Sequence, residues 1–63
     1  MCLSTVYKVQ NGSQDIVCEH VSAISIGDGN VTLTDVMGQE TIVEGIIASI
    51  DLMKNIILIN TAV

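Results

Sequence analysis

The sequence predicts an all-β fold: a small, strongly bent antiparallel β-barrel of five to seven short strands, forming a single domain over residues 1–63. Three observations carry that expectation. Ten Ile, eight Val and five Thr make β-branched residues more than a third of the chain, and their stiff χ1 suits a pleated surface. Turn signals built on Asn and Gly recur at short intervals, as they do in all-β proteins. The 63 residues also fall well short of the roughly 100 that an open β-sandwich uses, which favours a small barrel. Helix is expected only as a turn or two.

The elements follow in order. Leu3, Thr5, Tyr7 and Val9 alternate with Cys2, Ser4, Val6, Lys8 and Gln10. This predicts a first strand whose inner face is the Leu3, Tyr7 and Val9 side. Asn11-Gly12 tolerates the positive φ of a tight hairpin turn. The stretch from Gln14 to Ile26 is too long for one regular strand, and its two halves differ in phase, so a bend or bulge is expected near Glu19-His20. Gly27-Asp28-Gly29-Asn30 is the clearest hairpin signal. Beyond it Val31 and Leu33 alternate with Thr32 and Thr34, a strand with one buried face and one wet face. Gly38 breaks the chain before a strand over Glu40 to Glu44, and Gly45 then interrupts the pattern as a bulge or barrel corner would. A strand through Ile46 and Ile50 follows. Met53-Lys54-Asn55 turns the chain into Ile56-Ile57-Leu58-Ile59, a closing strand with no polar face. So apolar an end on so short a chain predicts that a second copy covers part of it, giving a homodimer.

Composition excludes several classes of function. Two Lys against seven Asp and Glu give a net charge of −5, and nucleic-acid binding draws on basic residues that displace counterions. A single aromatic residue, Tyr7, leaves no platform for stacked bases. No nucleic acid is expected as partner. A hydrophobic content of 49% is too high for a disordered acidic tail. No apolar run exceeds four residues, against roughly 18 for a membrane span, and the start lacks the pattern of a secretory signal. The expectation is therefore a cytoplasmic protein without membrane association, in which thiols stay reduced. Catalysis finds no constellation to act through: one His, no Arg, no nucleophile elbow and no phosphate-cradling glycine motif are present. The protein is read as a non-enzyme, with its carboxylates keeping an apolar assembly soluble.

Metal chemistry has more support. If Met1 is the retained terminus, its amine, the deprotonated Cys2 amide nitrogen and the Cys2 thiolate can close two fused chelate rings around one ion. A planar, nitrogen-rich donor set of that kind suits Ni(II) or Cu(II), not tetrahedral zinc. Without Met1, the Cys2 amine and thiolate form a single ring, and two subunits would have to complete the set. The bland alternative is that Cys2 is a small apolar residue opening a strand. Cys18 and His20 form a second candidate pair, since i, i+2 spacing puts both on one face of a regular strand. Against that, Cys18 fits a packing role and His20 a place at the bend.

Taken together, Met1-Cys2-Leu3, Val6-Tyr7, the Gly27 to Leu33 hairpin, Asp35-Val36-Met37-Gly38-Gln39-Glu40, and the run from Val43 to Leu52 leading into Ile56-Ile57-Leu58 resemble the CooT family over essentially the whole chain. That family comprises small nickel-binding accessory proteins for carbon monoxide dehydrogenase. The resemblance implies a homodimer of small β-barrel subunits that binds Ni(II) through Cys2, with carbon monoxide dehydrogenase or its maturation factors as partners. It does not implicate Cys18 or His20. Met37 stands where the family often has an aromatic residue, a difference of packing. The alternative is a small-barrel protein-interaction module, or an RNA-binding barrel, in which Cys2 is incidental.

Overall fold

The computed structural model describes residues 3–61, and over these the chain is all-β. Six strands follow one another: β1 (Ser4–Gln10), β2 (Ser13–Ile26), β3 (Asn30–Asp35), β4 (Glu40–Glu44), β5 (Ile46–Asp51) and β6 (Ile56–Asn60). They form one sheet in the order β4-β3-β2-β1-β6-β5. The pairing is antiparallel except between β1 and β6, which run parallel with Thr5 opposite Ile56 and Val9 opposite Asn60. A wholly antiparallel sheet was expected. Parallel neighbours need a long connection, and β2 through β5 together supply it. β4 and β5 stay as two unpaired edges, although β3 and β5 touch as the sheet coils. "Barrel" thus describes the curvature and not a closed ring of hydrogen bonds.

Every predicted turn is present. Asn11 and Gly12 both take positive φ, at 54° and 82°, between β1 and β2, the backbone of a tight primed hairpin turn. The long second strand bends where its phase changes: His20 has φ 59°, and β1 pairs Val6 with Cys18 but Ser4 with Val21. A further irregularity between Val6 and Tyr7 leaves Val17 as an extra residue on β2. These two bulges concentrate the twist that curls a sheet of six short strands around its own core.

The core consists of Val6, Val21, Val31, Leu33, Ile57 and Ile59, with Val6, Val31, Leu33 and Ile59 fully buried. Val17, Cys18, Ile24, Val43 and Ile47 pack against them at its margin. Removing side chains of this size from water contributes about 1.5–3 kcal/mol each. The predicted inner face of β1 requires correction, because its fully buried residue is Val6 while Tyr7 and Val9 are only partly covered. Lys8 and Gln10 share the alternation of Val6 and line an open groove of about 480 Å³ together with Val43 and Thr61. The inside of the coil is therefore dry at one end and wet at the other. A single strand crossing both zones carries Val and Lys on the same face.

Gly45 joins the two edge strands. Its φ is 151°, and its N–H donates to the Gly29 carbonyl at 3.0 Å. A Cβ there would sit 2.5 Å from the Asn60 carbonyl oxygen and 3.1 Å from Ile59 Cγ2. Glycine is required for conformation and for space at once.

Candidate metal centre

Met1 and Cys2, the leading sequence-derived ligands, lie outside the described residues. What the structure defines is the end of the sheet from which the chain enters β1. The Thr5 N–H donates to the Asn55 carbonyl at 2.9 Å, and Ser4 lies opposite Val21. The entry to β1 is thus framed by the β2 bulge at His20 on one side and the β5–β6 turn on the other. Asp35 and Asp51 stand at this same end, opposite Val21 and Ile56 respectively.

Both carboxylates are occupied in holding turns. Asp35 Oδ1 accepts from the Met37 N–H at 2.8 Å and the Gln39 N–H at 3.0 Å. Asp51 Oδ1 accepts from the Met53 and Lys54 N–H groups, each at 3.0 Å. These are Asx turns, in which a short acidic side chain substitutes for a backbone acceptor. Two further contacts fix the Asp35 turn to β2: the Val36 N–H donates to the His20 carbonyl at 3.0 Å, and the Ser22 hydroxyl lies 3.2 Å from the Thr34 and Asp35 carbonyls. Sequence reasoning treated these aspartates as solubilising charges. The available signal was position, since each begins a turn that a Gly or Asn completes.

Cys18 and His20 part company in the structure. Cys18 is half-buried and packs against the core, with its Sγ 3.6 Å from the Glu19 carbonyl oxygen. Burial, and after it the carboxylates of Asp35 and Glu19, push the Cys18 thiol above its ordinary range. That shift makes the thiolate, the form that ligates a metal, costlier to produce. His20 is exposed, and its left-handed backbone interrupts the strand alternation that would align it with Cys18. Among the described residues, no three His, Cys, Asp or Glu side chains converge as a metal group would require.

The sequence profile of CooT, the CO dehydrogenase accessory protein, matches residues 1–60. The chain belongs to the CooT family. CooT is an accessory family for CO dehydrogenase and not itself that enzyme. The fold agrees: the crystal structure of a CooT candidate from Carboxydothermus hydrogenoformans superposes with a TM-score of 0.84 at 19% identity, over 94% of this chain and 95% of that one. At that identity the likeness speaks for the CooT fold alone. No curated protein sequence matches the chain. Among the described residues, no helix is long and apolar enough to cross a membrane.

Proposed function

We propose that this CooT protein is a Ni(II) metallochaperone for the maturation of carbon monoxide dehydrogenase, that Cys2 is the residue that holds the nickel, and that the working unit is a cytoplasmic homodimer. The observation that carries this reading is the family match, which runs from residue 1 to residue 60 and so includes Met1-Cys2. Nickel is cargo here, not a resident cofactor. A thiolate at the start of the chain, joined by the Met1 amine where that is the terminus and by an amide nitrogen, makes a donor set suited to Ni(II).

The chemistry of Cys18 supports the same choice, because burial and the neighbouring carboxylates of Asp35 and Glu19 raise its thiol and so make its proton costlier for nickel to displace. A surplus of five negative charges favours the approach of a cation.

Titration of Ni(II) under reducing conditions, followed through thiolate-to-nickel charge-transfer absorption, tests the proposal. Cys2→Ser is expected to abolish that absorption, whereas Cys18→Ser should retain it. Affinity should fall steeply from about pH 8 to pH 6, because binding releases protons. Equal binding by wild type and Cys2→Ser would leave Cys2 incidental and favour the protein-interaction module.

A further inference from the structure

We infer that the open groove at the far end of the sheet from the start of β1 binds a small zwitterion of the aliphatic amino-acid class, with its carboxylate on Lys8 and its ammonium towards Glu44. This site lies apart from the end of the sheet at which nickel is proposed above, and it does not depend on that reading.

The groove has a volume of about 480 Å³, within the range of roughly 300–1,000 Å³ in which proteins hold small ligands. Its floor follows from the alternation of β1. Lys8 and Gln10 continue the face that carries the buried Val6, so the strand brings an ammonium and an amide to the place where the core would otherwise go on. β4 adds Ile42, Val43 and Glu44, and the chain beyond β6 adds Thr61. Val43 also packs against the margin of the core. An apolar wall thus adjoins a polar floor, the combination in which apolar area holds a ligand and a few polar groups orient it.

Several of these polar groups have nothing in the protein to bond. Among the described residues, the Lys8 ammonium and the Glu44 carboxylate make no hydrogen bond or ion pair, although Asp15 lies across from Lys8 in the β1–β2 ladder. The Thr61 hydroxyl is buried and likewise unpartnered, while its backbone N–H donates to the Val9 carbonyl at 3.2 Å. A buried hydroxyl left unmatched is destabilising, and an acceptor in the groove would satisfy it.

Charge decides the class of ligand. Lys8 is one of two cations in the chain, and the other, Lys54, sits in the turn between β5 and β6 at the opposite end of the sheet. A plain anion would gain Lys8 but would meet Asp15, Glu44 and a net charge of −5. A plain cation would leave Lys8 unmatched. A molecule with no net charge, carrying a carboxylate and an ammonium, complements both sides of the groove, and an aliphatic side chain covers Ile42 and Val43.

Heteronuclear NMR titration of the full chain without metal tests this, using leucine and the dipeptide Leu-Leu against leucinamide and N-acetyl-leucine, which each lack one of the two charges. Shifts are expected at Lys8, Gln10, Val43 and Thr61 and not at Thr5, Asp35 or Asp51. At least one zwitterion should bind with a dissociation constant of about 1 mM or tighter, and each one-charge analogue at least about tenfold more weakly. The tighter of leucine and Leu-Leu identifies the free amino acid or the peptide as the source of this chemistry. Lys8→Met should weaken the zwitterion by about tenfold and leave leucinamide unchanged. Thr61→Val should weaken binding while the melting temperature of the free protein stays the same or rises, because the variant deletes an unmatched hydroxyl. The assignment is overturned by an absence of groove shifts at about 10 mM of either zwitterion, by a one-charge analogue that binds equally well, or by a Lys8→Met variant as tight as wild type. None of these outcomes alters the nickel titration of Cys2→Ser, which decides the metal reading separately.

Discussion

The β4 and β5 edges of the sheet leave the same glycine in opposite directions and meet water in opposite ways. β4 alternates Glu, Thr, Ile, Val and Glu, pairs regularly with β3, and brackets its one exposed isoleucine with charge. β5 is bulged against β6 and exposes Ile46 and Ile50 without a charged residue between them. Topology makes both strands edges, but only sequence makes one of them safe. In a chain of 63 residues, which can bury only about 60% of its unfolded surface, the exposed isoleucines of β5 are apolar surface that this small core leaves uncovered.

The largest effect should come from the interior that both edges share. Leu33 on β3, beside β4, and Ile59 on β6, beside β5, are fully buried. Leu33→Ala is expected to cost about 2–5 kcal/mol in urea unfolding, enough to unfold much of a domain this small. If the loss came out near zero, the core would not be where the structure places it. The next effect in size tests the corner between the edges: Gly45→Ala forces a Cβ towards the Asn60 carbonyl and should destabilise by about 1–3 kcal/mol. A neutral result would mean that β4 and β5 are not held at the angle observed. Smaller again is the effect of charge at the Asp35 turn, which leads into β4. Asp35→Asn keeps an Oδ1 acceptor for Met37 and Gln39 but removes a carboxylate that raises the Cys18 thiol. In a Cys2→Ser background, thiolate absorbance should show the Cys18 pKa falling towards its ordinary range while staying above it, since burial is the larger cause. Asp51→Asn, at the turn after β5, should leave that titration unchanged.

The same thiol gives a pH dependence with a defined sign. A group whose pKa is raised by folding binds its proton more tightly in the native state. Its contribution to stability is present below the thiol's unfolded pKa and is lost as pH rises through the raised folded value. Cys18→Ser should flatten the alkaline side of the stability profile.

Much of the fold was legible in the sequence because turns and β-branched strands are local features. Asn11-Gly12, Gly38 and the alternation of Val31 with Thr32 each fix their own backbone. The bend at His20 was legible as a change of phase, which is also local. Two features were not. The parallel β1–β6 ladder joins residues at opposite ends of the chain, and nothing near Thr5 or Ile56 encodes that pairing. The burial of Val6 was hidden because Lys8 and Gln10 follow it on the same face; a coiled sheet that is dry at one end and open at the other breaks the rule that one face is uniformly apolar. At the candidate metal centre, the packing role read for Cys18 is what the structure places at the core margin, while Cys2 lies outside the described residues. The sequence did not reveal that Asp35, by capping a turn beside β2, also acts on Cys18.

On the function proposed above, nickel goes to the start of the chain and not to the Cys18–His20 region. An anomalous-difference map from nickel-loaded crystals, collected at the nickel absorption edge, tests it most directly. The expected result is a peak at the Cys2 sulfur and none at Cys18 or His20. A peak at Cys18, at His20 or among the carboxylates, with Cys2 unligated, would contradict it.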